Sequence, residues 1–250
     1  MSPALSAGQL VAHRGWRNRY PENTYVAVAA AIAAGALHIE IDIQFTRDSE
    51  AVVFHDRNLS RMCSVDRDIY SVELAALSQY TVSSAQRLGS HASDTYISRL
   101  SELGDLIQKH PAVTLYVEIK QDILEHFSRA QTLAVLAQAL HSVRSRTVLI
   151  SFDYAILHEA AALEWRVGPV LCQWEDARER SVFPARAECL FLDSARVPDG
   201  ERLDSLPLPC VVYEIGTASL AQEWLARGAS KVETYCIGEM LEPLMLLVEK

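Results

Sequence analysis

The sequence predicts a parallel α/β barrel, on three observations. The chain has 250 residues, the usual size of one eight-fold β/α barrel. Eight short apolar runs alternate with helical patterns almost to the end, which implies a parallel sheet with helices outside it. Charged residues stand at the C-terminal ends of several runs, where barrels of this kind build their sites.

The first run, Leu10-Val11-Ala12-His13, leads into Arg14-Gly15. Pro21-Glu22-Asn23-Thr24 precedes an Ala-rich helix over 24–35, with Asn23 or Thr24 as N-cap and Gly35 as C-cap. A strand at 38–43 follows. The alternation then breaks. Arg47-Asp48-Ser49-Glu50 reads as a turn and Ala51 to Phe54 as a short strand. The polar stretch after Arg57 holds one helix near 72–78. Residues from about 46 to 96 thus read as a small insertion after the second barrel strand. A helix over 101–110 stops at Pro111. The remaining strands are 114–119, 147–151, 167–172, 188–192, 210–213 and 231–235. Helices are expected at 125–142, 154–164, 174–182, 217–227 and 238–248, and the Pro-rich interval 193–209 is irregular. Eight repeats favour a closed (β/α)8 cylinder, the TIM-barrel architecture, making residues 1–250 one domain. No G-x-G-x-x-G follows the first strand, which counts against a dinucleotide fold.

Composition narrows the functional classes. Half the residues are hydrophobic, enough for a sizeable core. The net charge is -9, which argues against nucleic acid or an acidic membrane as the main partner. The five cysteines lack zinc-finger or redox spacing and fit a reducing compartment. The start has neither the basic region nor the apolar run of a signal peptide, and nothing approaches the ~20 apolar residues of a membrane helix. The expectation is a soluble, cytoplasmic protein with no nucleic-acid partner and no membrane insertion.

The strand ends carry the chemistry. Strand side chains alternate faces, so Glu40 and Asp42 share one face while Ile39, Ile41 and Ile43 share the other. A barrel's outer face must be apolar to meet its helices, so the carboxylates point inward. Glu118 and Lys120 have the same parity against Leu115, Val117 and Ile119. Burying these carboxylates costs several kcal/mol unless something pairs with them. Three carboxylates without thiolates or clustered imidazoles specify a hard cation, Mg²⁺ or Ca²⁺. An internal salt-bridge set, with Lys120 pairing Glu40 or Asp42, satisfies the same pattern. His13 and His55 each end an apolar segment, and two such histidines suit acid–base cleavage of a phosphodiester. Arg14 and Lys120 would hold the phosphate. His38 lies at the opposite end of its strand and reads as structural. Trp16 either walls the pocket or packs. The other histidines have no partner pattern.

His13-Arg14-Gly15, Pro21-Glu22-Asn23-Thr24, Gly35-Ala36, Ile39-Glu40-Ile41-Asp42, Thr46-Arg47-Asp48, Val52-Val53-Phe54-His55-Asp56, Leu59-Ser60-Arg61, Glu73-Leu74, Glu118-Ile119-Lys120 and Ser151-Phe152-Asp153 together resemble the glycerophosphodiester phosphodiesterase family. The resemblance covers nearly the whole chain. It implies a TIM-barrel hydrolase with an insertion, one divalent cation held by Glu40, Asp42 and Glu118, His13 and His55 as general acid and base, and Arg14 and Lys120 on the phosphate. The implied reaction takes a glycerophosphodiester and water to an alcohol and glycerol 3-phosphate. The later strands depart from the family pattern. The last ends in Thr234-Tyr235 rather than Thr-Asp, the seventh in Tyr213-Glu214-Ile215-Gly216, and the Cys63 to Asp68 loop lacks a glycine. These departures bear on substrate preference. A lysophospholipase D-like hydrolase and a non-catalytic glycerophosphate-binding barrel are the alternatives. The metal, the alcohol and the oligomeric state are left open.

Overall fold

The computed structural model describes residues 5–83 and 95–241. The chain runs through β1 (Leu10–His13), α1 (Tyr25–Ala33) and β2 (His38–Phe45). β3 (Ala51–Val53) folds back antiparallel on the end of β2, pairing Ile43 with Val53 and Phe45 with Ala51. Two one-turn helices follow, α2 (Ser60–Cys63) and α3 (Leu74–Leu77). A two-stranded antiparallel ribbon comes next, β4 (Thr81–Val82) with β5 (Thr95–Tyr96). The regular alternation then resumes with α4 (Leu100–Gln108), β6 (Thr114–Ile119), α5 (Arg129–Ala139), β7 (Thr147–Ser151), α6 (Tyr154–Ala162), β8 (Arg166–Pro169), β9 (Leu190–Asp193), β10 (Cys210–Ile215), α7 (Ala218–Ala226) and β11 (Lys231–Thr234).

The sheet order β8-β7-β6-β2-β1-β11-β10-β9 contains eight parallel strands. Between the β8 and β9 edges, isolated parallel bridges Val167↔Ala187 and Val170↔Phe191 bring the two ends of the sheet together, and the Leu171 N–H donates to the Phe191 carbonyl at 2.9 Å. The result is a TIM barrel. Its two cores follow from strand alternation. Leu10, Ala12, Ile39, Ile41, Ile43, Leu115, Val117 and Ile119 belong to the layer under the helices. Val11, Tyr116, Val148, Ile150, Val170, Cys189, Phe191 and Val211 fill the cylinder.

Local chemistry sets the elements before tertiary packing fixes them. The Thr24 hydroxyl accepts from the Ala27 N–H, so Thr24 is the N-cap of α1. Gly35, at φ +93, ends the helix in the left-handed conformation glycine adopts without a Cβ penalty. Gly15, at φ +76, lets β1 turn against α1, since a Cβ there would lie 2.6 Å from the Ala27 carbonyl carbon. The helix expected over 174–182 is instead two 3-10 turns, Trp174–Arg178 and Arg180–Val182. Trp174 and Ala177 bury together, and their three-residue spacing matches the tighter turn. Of the helix expected over 238–248 only 238–241 is described, and it is helical, the turn starting at 237. Residues 242–248, like 84–94 of the expected insertion, lie outside the described residues. Among the described residues, no helix is long and apolar enough to cross a membrane.

Candidate active site at the barrel mouth

Strand register places the polar side chains. His13 of β1 lies beside Glu40 of β2, and Asp42 of β2 lies beside Glu118 of β6. Adjacent strands are about 4.8 Å apart, so register alone makes neighbours of residues far apart in sequence. Ligand-capable atoms of Glu40, Asp42 and Glu118 lie within 4.8 Å of one another. His13, Arg14, Glu40, His55, Glu118 and Lys120 line one cavity of about 160 Å³ at the C-terminal end of the barrel. Asp42, 1% exposed, meets the cavity-lining Arg14 and Lys120. The structure thus brings together all seven residues singled out in the sequence.

Both cations are already engaged. Arg14 contacts Asp42 through Nε and Glu22 through Nη1, each at 2.8 Å. Lys120 Nζ lies 2.6 Å from Asp42 Oδ1 and 2.7 Å from Glu118 Oε1. The salt-bridge set allowed by the sequence therefore exists, with Asp42 and Glu118 as partners of Lys120. It does not neutralise the cluster. Glu40 has a buried Oε1 without a hydrogen-bond partner, and its Oε2 accepts only the Arg14 backbone N–H, at 3.1 Å, among the bonds of the described residues. Burial, then the charges of Asp42, Glu233 and Glu118, push the Glu40 carboxyl well above the usual range. Burial raises Glu118 against the pull of Lys120. Burial also opposes ionisation of Asp42, but Arg14 and Lys120 outweigh it and hold that carboxyl far down. An all-oxygen donor set with an orphaned carboxylate oxygen and excess negative charge fits a hard divalent cation. The cluster is a candidate site for one.

The two histidines differ in setting. His13 is 6% exposed, and burial, then Arg14, drive its pKa well below the ordinary value, so it is neutral at pH 7. His55 follows β3 and keeps a third of its side chain exposed. Asp56 Oδ1 lies 2.6 Å from His55 Nδ1, and Arg61 holds Asp56 in turn. Gln44 donates to the His55 carbonyl at 3.0 Å, and the Phe54 N–H donates to the Asp42 carbonyl at 3.1 Å. The β2–β3 hairpin thereby ties His55 to the carboxylate strand.

Four supporting residues escape a reading of the sequence. Asn23 looks like a helix cap, yet its amide donates to Asp42 Oδ2 at 2.8 Å and its carbonyl accepts the Asp42 N–H at 3.1 Å. Its φ of +56 is unusual outside glycine. Glu22 is 3% exposed and meets Arg14, Arg17 and Arg61. Burial opposes its charge, but these arginines bring its carboxyl down to about 2. Gln44, fully buried, is the third. The fourth is Glu233 on β11, 3% exposed, with Oε1 3.4 Å from His13 Nε2. Its signal is inward parity with Lys231 on the last strand. Trp16 is no part of the cavity lining; it donates to Glu239 and packs on Gly238. His38 lies at the other end of β2, tilted against Tyr116, with a pKa that burial, then Lys231, lower to about 4.

Two histidines and an acidic cluster around one cavity at the C-terminal mouth of a TIM barrel stand where enzymes of this fold place their active sites. The model of the glycerophosphoryl diester phosphodiesterase family matches residues 13–185, and the chain belongs to that family. It is 33% identical over 117 residues to lysophospholipase D GDPD3 of Mus musculus, covering 45% of this chain and 34% of that protein. It is 32% identical over 169 residues to a probable glycerophosphodiester phosphodiesterase 1 of Mycobacterium tuberculosis, covering 63% of this chain and 59% of that protein. The chain thus spans between about a third and three-fifths of the length of these curated relatives. An Oleispira antarctica phosphodiesterase, solved with the product sn-glycerol-3-phosphate, superposes with a TM-score of 0.77 at 23% identity, covering 95% of this chain and 96% of that one.

Proposed function

We propose that the chain hydrolyses glycerophosphodiesters to an alcohol and glycerol 3-phosphate, with one divalent cation, Mg²⁺ or Ca²⁺, held by Glu40, Asp42 and Glu118. The observation that carries this reading is the meeting of those three carboxylates with His13, His55, Arg14 and Lys120 at one barrel mouth. A bound cation would offset phosphate charge and polarise its oxygens. Lys120, 15% exposed at the cavity, meets a phosphate oxygen as a point charge. Arg14, fixed at Nε and Nη1, has Nη2 left for the phosphate. One histidine takes the proton of the attacking hydroxyl, and the other returns a proton to the leaving alkoxide. The nucleophile is water, or the substrate's own glycerol hydroxyl through a cyclic phosphate. Neutral, buried His13 suits the accepting role. Asp56, fixing Nδ1 of His55, leaves Nε2 for donation. His55 comes from the 46–96 segment, which we read as an insertion in a single domain.

The enclosed cavity suits the glycerol phosphate moiety. A more open cavity of about 420 Å³, lined by His55, Asp56, Arg57, Gln121 and Asp122, adjoins it across Glu118, Lys120 and Phe152 and suits the alcohol. Small polar headgroups such as choline or ethanolamine match that charged lining. The Mus musculus relative's name favours lysophospholipase D activity as the second reading. Two histidines at the mouth argue against a non-catalytic binding barrel. We place the protein in the cytoplasm, in glycerol and lipid metabolism; its five free cysteines, two of them buried, support a reducing compartment. The charge of -9 supports a small-molecule partner over nucleic acid. The test is release of glycerol 3-phosphate from glycerophosphocholine and from a lysophospholipid, in Mg²⁺, in Ca²⁺ and after chelation. Activity that survives thorough chelation removes the cation, and hydrolysis of neither substrate removes the reading.

A further inference from the structure

β11 carries a buried carboxylate that the chemistry above does not use. Glu233 is 3% exposed, and among the described residues its charge contact is with His13, with no Lys or Arg within 4.0 Å. His13 Nε2 lies 3.4 Å from Glu233 Oε1 and 3.9 Å from Glu40 Oε2. Ligand-capable atoms of His13, Glu40 and Glu233 all lie within 4.8 Å of one another, and all three residues are buried. Glu40 belongs to this group and to the Asp42–Glu118 group, and its Oε1 has no hydrogen-bond partner.

We propose that His13, Glu40 and Glu233 form a second cation site, for a borderline transition ion such as Zn²⁺, that shares Glu40 with the site for the hard cation. The donor chemistry separates the two positions. Glu40, Asp42 and Glu118 offer only oxygen, which suits Mg²⁺ or Ca²⁺, whereas an imidazole with two carboxylates suits zinc. Two donors on a tetrahedral zinc with bonds of ~2.0–2.1 Å lie roughly 3.3 Å apart. The His13–Glu233 separation meets that value, and the His13–Glu40 separation needs a shift of about half an ångström. Three protein ligands would leave a fourth position open to the cavity.

Local pairing supports the assignment. Arg14 contacts Asp42 and Glu22, and Lys120 contacts Asp42 and Glu118. One divalent ion would balance the four carboxylates in total charge, but among the described residues neither cation lies within 4.0 Å of Glu233, whose charge contact is His13. A zinc bound there would occupy the Nε2 lone pair of His13. Resting on the phosphodiesterase reading, the consequence is inhibition: zinc takes His13 out of proton transfer while the hard cation stays in place.

The test is a metal count and a zinc titration by calorimetry on full-length protein saturated with Mg²⁺. One Zn²⁺ should be retained beside one Mg²⁺. Glu233→Gln should weaken zinc by roughly tenfold or more and leave the magnesium affinity essentially unchanged. The amide matches the carboxylate in shape and has no cationic partner to lose, so the variant should fold; its circular dichroism melt checks this. A readout free of any variant is Co²⁺ added to the Mg²⁺-loaded wild type, which should show the intense visible bands of a tetrahedral site. Zinc that is not retained, that displaces magnesium one for one, or that binds the variant equally well overturns the second site. Zinc that binds without lowering turnover overturns the claim on His13. If no diester is hydrolysed under any metal, the phosphodiesterase reading fails while the metal count stands.

Discussion

Replacing Glu40 by Gln should stabilise the metal-free protein and abolish most of its response to Mg²⁺, opposite signs from one substitution. Ligand-capable atoms of Glu40, Asp42 and Glu118 lie within 4.8 Å of one another, and at an effective dielectric constant of about 20 two like charges at that spacing repel by ~3 kcal/mol. Arg14 and Lys120 offset part of this repulsion. Glutamine keeps an acceptor for the Arg14 N–H and adds no bulk. A net gain of about 1–3 kcal/mol in the chelated protein is expected, worth ~2–4 °C in Tm per kcal/mol for a chain of this size. Burial and neighbouring charge raise the Glu40 carboxyl in the fold, so the wild-type chain loses stability as pH rises through and above the ordinary carboxylate range. The advantage of the variant must therefore grow toward higher pH. With metal the sign reverses. Mg²⁺ at a hundred times its Kd adds ~2.7 kcal/mol to the wild type, and the variant, short of a ligand, should gain little. Thermal melts at pH 6 and 8, in chelator and across a Mg²⁺ series, measure all of this. A variant that melts below wild type in chelator yet gains as much from Mg²⁺ would refute both the repulsion and the ligand assignment.

Substituting His13 or His55 with Ala should lower kcat by roughly 10²–10⁴, and a near-normal rate with either removes that histidine from proton transfer. Asn23→Ala deletes two hydrogen bonds to Asp42, one of them to its carboxylate, and should cost about 2–4 kcal/mol in urea denaturation; a loss below about 1 kcal/mol would show that the clamp does not hold the strand. Glu22, with a folded pKa of about 2 against 4.5 unfolded, contributes stability that is complete above the unfolded value and is lost as pH falls through the folded one. The stability difference between wild type and Glu22→Gln should accordingly shrink between pH 4.5 and 2, and a difference independent of pH in that window contradicts the ionic clamp.

Strand side-chain parity was legible in the sequence. Ile39, Ile41 and Ile43 need an apolar neighbour, so Glu40 and Asp42 had to face the interior, and Glu118 and Lys120 followed the same rule. The caps at Thr24 and Gly35 were equally local, since each depends on a few consecutive residues. Register was not legible. That Asp42 stands beside Glu118, and His13 beside Glu40, depends on how whole strands slide against each other, and no single run of residues encodes that. Asn23 is locally a credible helix cap, and only β2 crossing behind it turns its amide onto Asp42. Glu233 is the sharpest case. In sequence it is one acidic residue in the last strand, remote from every motif that marks the site. Closing the sheet brings β11 against β1 and puts that carboxylate 3.4 Å from His13. Alternation, capping and burial act over a few residues and so can be read from sequence; the meeting of charges from four strands requires the ring to close, which only the tertiary structure decides.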